Sequence, residues 1–206
     1  KMKKLKFNLD SEIEKIIKKF NLNNTWNKEI IRDIKKYDNK NFRKKSYKRK
    51  NIKHLDFVTI DGEDAKDFDD AVYCEKLKKN WKLYVAIADV AHYVENKSSI
   101  DKEARKRGTS TYFPGHVVPM LPEILSNNLC SLRPGEDKYT IVAEILISEV
   151  GSIKSYKFYN ALINSSARLT YDKVEKFFKN NNIIKNKNVA DNIRNLFKLY
   201  KILKIS

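Results

Sequence analysis

The chain is 206 residues long, with 43 Lys and Arg against 26 Asp and Glu and a formal net charge of +17. That length holds one substantial core or two small ones, and the charge favours polyanionic partners while saying little about fold. No apolar run reaches the roughly 20 residues of a membrane-spanning helix, the Lys-rich start lacks the apolar core of a secretory leader, and Cys74 and Cys130 form no C-x-x-C pair, so a reduced, cytoplasmic protein is expected rather than a disulfide scaffold.

In chain order, Ile13, Ile16, Ile17 and Phe20 fall at helical spacing, with Ser11 as N-cap and Glu14 three residues on. A second helix is expected over about 27–37, with Ile30, Ile31 and Ile34 on one face. Residues 39–53 then carry Arg43, Lys44, Lys45, Lys48, Arg49 and Lys50 with almost no apolar residues, which reads as an exposed, solvated linker. Residues 1–50 therefore form a helical and basic segment distinct from 51–206.

Next comes the most informative stretch, residues 59–70, with Asp61, Glu63, Asp64, Asp67, Asp69 and Asp70 crowded into ten positions. Two like charges about 4 Å apart repel by about 4 kcal/mol at a surface dielectric, and Lys66 is the only cation inside the stretch. The folded loop therefore needs either full solvation or a divalent metal. Its flanks, Phe57-Val58-Thr59-Ile60 and Ala71-Val72-Tyr73-Cys74, are strand-like and apolar, which favours the metal. Asp67 and Asp69 point to one side of an extended backbone, and Asp61 folds back over Gly62, which tolerates a tight turn. Such hard oxygen ligands suit Mg²⁺, with Mn²⁺ as the alternative, phosphate and water completing the shell. An EF-hand is excluded, because the glycine follows the first Asp directly.

Beyond the acids, 71–77 and 81–88 form an expected hairpin across Lys79-Asn80, with Leu83, Val85 and Ile87 toward one face. Ser98 or Ser99 caps a helix over 100–106 that Gly108 stops. A short helix is expected at 123–129, and an antiparallel pair at 140–149 and 155–165. Helices follow from Thr170 to about Asn180 and from about Val189 to Ile205. Asp89 reads as structural, capping a turn, and His54, His92 and His116 lack ligand-like spacing. The class is α+β: a mixed, largely antiparallel sheet flanked by helices.

Several of these stretches together resemble the ribonuclease II/ribonuclease R family, on its ribonuclease R side. They are Val58 to Tyr73, Val85 to Val90, Arg107 to Gly115, Val118 to Glu123, Leu125 to Leu132 and Ala167 to Tyr171. The resemblance implies an RNB-type catalytic domain and processive 3′→5′ hydrolysis of RNA to nucleoside 5′-monophosphates. It assigns Asp61, Asp67, Asp69 and Asp70 to the metal site, with Asp69 and Asp70 catalytic and Asp69 the most rate-critical. Glu63 and Asp64 stay outside that set. Tyr112 matches a tyrosine packing near the terminal nucleotides, Tyr171 one at the ribose end, and Arg168 shares the RNA-contacting motif. The implied partner is single-stranded or 3′-tailed RNA, bound by a monomer without a membrane. Against the family pattern, the chain stops in mid-domain, before the arginine motif that clamps the scissile phosphate. The alternative is therefore an RNA- and metal-binding piece without activity.

Overall fold

The computed structural model describes residues 8–37, 48–180 and 183–205. Its elements are α1 (Leu9–Lys19), α2 (Lys28–Ile34), β1 (Lys50–Asn51), β2 (Val58–Asp61), β3 (Asp70–Lys76), β4 (Asn80–Ala88), α3 (Val90–Tyr93), α4 (Ser99–Arg107), β5 (Thr111–Phe113), β6 (His116–Val118), β7 (Asp137–Ser148), β8 (Ile153–Asn164), β9 (Ala167–Thr170), α5 (Tyr171–Lys179) and α6 (Lys187–Leu203), with a π-helical turn at Leu125–Leu129. The chain divides into two compact units, 1–42 with 94–124 and 43–93 with 125–206. The α+β class, a largely antiparallel sheet with helices, is as the sequence implies.

In the smaller unit the cap of α1 is Asn8, whose Oδ1 accepts the Ser11 N–H at 3.2 Å. Ser11 is thus inside the first turn, because an asparagine of equal capping strength precedes it. α2 is capped by Asn27 and stops at Ile34, short of the expected Tyr37. Ser98, not Ser99, caps α4 through the Asp101 N–H, and Gly108 ends it at φ 75°, a left-handed turn that costs glycine nothing. Arg107 ties this unit together. Its guanidinium lies 3.6 Å from the Trp26 ring centroid, pairs with Glu103 and donates to Thr25 O and Pro119 O at 2.7 Å each.

The larger unit is a seven-stranded sheet in the order β1-β8-β7-β4-β3-β2-β9. Its centre is antiparallel, as the alternating runs imply, with β7 and β8 a hairpin of 12 residues a side. Both edges are parallel pairs, β1 with β8 and β2 with β9, which no local pattern announces. Leu83, Val85 and Ile87 share a face, but its cover is uneven. Leu83 packs with Cys74, Trp81, Ile147 and Leu199 beneath α6, whereas Ile87 is 47% exposed. A second cluster joins Val58 and Leu169 of the sheet to Phe177 of α5 and Val189, Ala190 and Ile193 of α6.

One polar residue finishes what the short β2 cannot. The β2–β3 ladder is a single register pair, Val58 with Val72, so Cys74 lies beyond it. Asn192 of α6, buried, accepts the Cys74 N–H at 2.9 Å and donates to Asp56 O and Val72 O. Buried backbone groups are thereby paired where no strand reaches them.

The exposed linker expected over 39–53 is corrected at its C-terminal end; residues 38–47 lie outside the described residues. Lys50 and Asn51 pair with Ala161 and Leu162, and the Arg49 side chain is buried. Arg49 Nη2 donates to Asp89 Oδ2 at 2.6 Å, and its guanidinium lies 4.5 Å from the Tyr139 ring centroid. A basic run looks solvated in sequence because a partner 40 residues away is invisible there. Asp89 also caps α3, its Oδ1 accepting the His92 N–H at 3.1 Å.

Candidate active site

Two strands carry the acids to one end of the sheet. Asp61 closes β2, opposite Thr170 of β9, and Asp70 opens β3, opposite Ile87 of β4. Residues 62–69 connect them without regular structure. The connection is nonetheless pinned along its length. Arg168 Nη2 donates to Gly62 O at 2.8 Å and also to Glu63 O, and the Ala65 N–H closes a turn onto Gly62 O. Further on, Ser131 Oγ bridges Lys66 O and the Phe68 N–H, Leu132 N–H donates to Phe68 O, and Ala88 N–H donates to Asp69 O. Gly62 is not in the left-handed region, and a Cβ there would meet nothing within 4 Å. The turn after Asp61 is therefore held by Arg168 rather than by glycine's freedom, which corrects the expectation from sequence.

Neighbouring carboxylates bear on two of the four aspartates, Asp61 and Asp69. Partial burial pushes the Asp61 carboxyl above its usual range, reinforced by Asp70 and Asp67 and opposed by Arg168. Asp69 is pushed up by the surrounding protein and then by Asp67, Asp70 and Asp61. Neither Glu63 nor Asp64 is among these causes. Asp61 Oδ2 is buried with no hydrogen-bond partner, an arrangement costly for an ionised oxygen unless a cation meets it.

Among the described residues no three His, Cys, Asp or Glu side chains converge as a ready-made metal cage. Mg²⁺ does not require one, since it is held by one or two carboxylates with waters and substrate phosphates filling the rest. The donor set is all hard oxygen, and the orphaned Asp61 Oδ2 supplies the unmet acceptor. The residues present fit such an ion. The thiols do not compete, because burial lifts Cys74 and Cys130 to about 12 each, Asp69 adding to the effect on Cys130.

Arg168 and Tyr171 belong to the same end of the sheet. Arg168 is paired in register with Thr59, and Tyr171 follows the Thr170 that faces Asp61, with its ring 65% exposed. Arg168 also lies 5.6 Å from the Phe68 ring centroid, and these two with Lys66 and Arg133 help line an open cleft of about 580 Å³ beside the loop. Tyr112 is in the smaller unit, on β5, 64% exposed. What the sequence missed are the residues behind the loop, Ser131, Leu132 and Ala88. The only signal for them is that 125–132 and 85–90 recur among the stretches of family resemblance.

The result is an α+β domain that gathers four aspartates at one end of its largely antiparallel sheet. The RNB domain model matches residues 49–206, and the chain belongs to that family. It is 52% identical over 159 residues to ribonuclease R of Vibrio parahaemolyticus, covering 76% of this chain and 19% of that protein. Against ribonuclease R of Escherichia coli it is 49% identical over 158 residues, 75% of this chain and 19% of the relative. Among solved structures, RNase R of Mycoplasma genitalium in complex with double-stranded RNA superposes with a TM-score of 0.88 at 37% identity, covering 94% of this chain and 35% of that one. The chain thus spans about a fifth of the length of the two ribonuclease R sequences. No described helix is long and apolar enough to cross a membrane.

Proposed function

We propose that the chain carries the hydrolytic centre of a processive 3′→5′ exoribonuclease, acting on single-stranded or 3′-tailed RNA as a cytoplasmic monomer and releasing nucleoside 5′-monophosphates. The observation that carries this reading is the buried, unpartnered Asp61 Oδ2 at the strand end that opens the stretch bearing Asp67, Asp69 and Asp70. The chemistry that bound Mg²⁺ or Mn²⁺ supplies is activation of water and neutralisation of charge on the leaving oxygen. Asp61 and Asp70, fixed at strand ends, hold metal and phosphate in place. Asp69 is the carboxylate on which the rate depends most, and Asp67 supports it. Arg168 steadies the loop through Gly62 O and Glu63 O and faces the RNA from the same edge. Tyr171 contacts the ribose end, where a 2′-hydroxyl separates RNA from DNA.

The direct test is RNA labelled at its 5′ end, incubated with the chain with Mg²⁺ or with a chelator. Stepwise shortening from the 3′ end with release of 5′-monophosphates, only with metal, supports the reading. RNA and metal binding without release makes the chain a binding module, and internal cleavage products overturn the exonucleolytic assignment.

Tyr112 handles the terminal bases by stacking, worth about 1–3 kcal/mol per base. Tyr112→Ala is expected to leave longer final products on short oligonucleotides. Its affinity for long RNA changes little and its salt slope not at all, since Lys and Arg contacts to phosphates set that slope. Unchanged product length with a reduced slope, measured by gel analysis and binding titration, removes Tyr112 from the terminal base.

A further inference from the structure

The loop that presents the acids has no regular secondary structure, yet its backbone is held at three of its last four residues, Lys66, Phe68 and Asp69. The key group is the hydroxyl of Ser131, fully buried. It accepts the Phe68 N–H at 3.1 Å and donates to Lys66 O at 2.8 Å. A hydroxyl has one proton to give and lone pairs to receive, so this one serves both partners at once. Those partners are the two peptide groups that flank Asp67. Fixing both planes fixes the φ and ψ of Asp67 between them. The next peptides are held the same way, Phe68 O by the Leu132 N–H at 2.8 Å and Asp69 O by the Ala88 N–H at 2.9 Å.

We propose that Ser131 is a positioning residue for the acidic loop, its buried hydroxyl setting the backbone of Asp67 and so the direction in which Asp67 and Asp69 offer their carboxylates to a divalent cation. The inference deepens the functional reading above and rests on it. The physical need lies in the crowding, because Asp67, Asp69 and Asp70 fall within four consecutive positions and like charges at close range repel. Left to itself, a loop of repelling carboxylates spreads apart. An anchor on its buried side, made only of backbone bonds and one hydroxyl, opposes that spreading without placing a competing charge beside the acids. Groups behind a metal ligand that orient it typically change metal affinity 10–100-fold when removed.

The test compares the chain with Ser131→Ala in three measurements. Mn²⁺ affinity is followed by electron paramagnetic resonance, amide exchange at Phe68 is measured in metal-free protein, and thermal melting monitors the fold. Ser131→Ala is expected to weaken Mn²⁺ binding about tenfold and to speed exchange at Phe68. Ser165→Ala is the matched control, since Ser165 is buried and bonds Phe57 O and Ala167 O away from the loop. It should lower the melting temperature comparably and leave Mn²⁺ affinity unchanged. Ser131→Cys keeps the volume with weaker hydrogen bonds and should fall between wild type and Ala; it carries the test if the Ala variant does not fold. Wild-type Mn²⁺ affinity in a folded Ser131 variant overturns the proposal, as does an equal loss in Ser165→Ala. If the unaltered chain takes up no Mn²⁺, the metal-site reading itself fails and takes this one with it.

Discussion

In an otherwise complete enzyme, Asp69→Asn is expected to lower RNA hydrolysis by several orders of magnitude while RNA binding holds or tightens. The substitution keeps the shape of the side chain and removes one negative charge from a group that Asp67, Asp70 and Asp61 already disfavour when ionised. Relief of that repulsion, and of repulsion toward phosphate, preserves or improves binding. If Asp69 holds a divalent ion as proposed, its loss removes stabilisation realised in the transition state. Single-turnover hydrolysis alongside equilibrium RNA binding separates the two. Asp64→Asn is the control and is expected to be mild, because Asp64 does not perturb either Asp61 or Asp69. Comparable hydrolysis by Asp69→Asn and the parent sinks the assignment.

Arg49→Ala destabilises the fold by about 3–5 kcal/mol, the usual cost of stranding one partner of a buried ion pair. The side chains of Arg49 and Asp89 are 7% and 8% exposed, at 2.6 Å. Removing Arg49 leaves the Asp89 carboxylate buried without its cation and takes a guanidinium from the face of Tyr139. The double change Arg49→Met with Asp89→Asn is expected to recover much of the loss. It strands no charge, and Asn retains an oxygen for the His92 N–H that caps α3. Denaturant melts of Arg49→Met, Asp89→Asn and their double form a cycle that reads the coupling directly. Additive losses would mean that the pair contributes nothing beyond its separate contacts.

The parts of this structure that sequence anticipates are those whose causes are local. Ser98, one of the two serines expected, caps α4, and Thr170, at the expected start of α5, proves to be its cap, each accepting an N–H three residues on. The β7–β8 hairpin follows alternating runs joined by a short turn, and the acids between two apolar strands announce themselves by crowding alone. Asp89 was legible as a cap, though not as the partner of Arg49. What stays hidden is set by distance along the chain. β2 finds β9 more than 100 residues later and β1 finds β8 about as far on, and no periodicity encodes a parallel register. Ser131 lies in an unremarkable Asn-Leu-Cys-Ser-Leu run, 64 residues from Asp67 in sequence but one hydroxyl away in space. Arg168 resembled an RNA contact by motif. The structure adds a second task, holding the carbonyls after Asp61, that a sequence cannot display because backbone acceptors look alike everywhere.

Asp61, Asp67, Asp69 and Asp70 are proposed to form one metal-holding site, and metal titration of the RNA-free chain asks whether they do. Calorimetric titration with Mg²⁺, repeated with Mn²⁺, is run on the chain and on single Asp→Asn variants at those four positions and at Asp64. Uptake by the parent is expected, with weakening at each of the four and no change at Asp64. Equal weakening at Asp64 and Asp69, or no uptake by the parent, would contradict it.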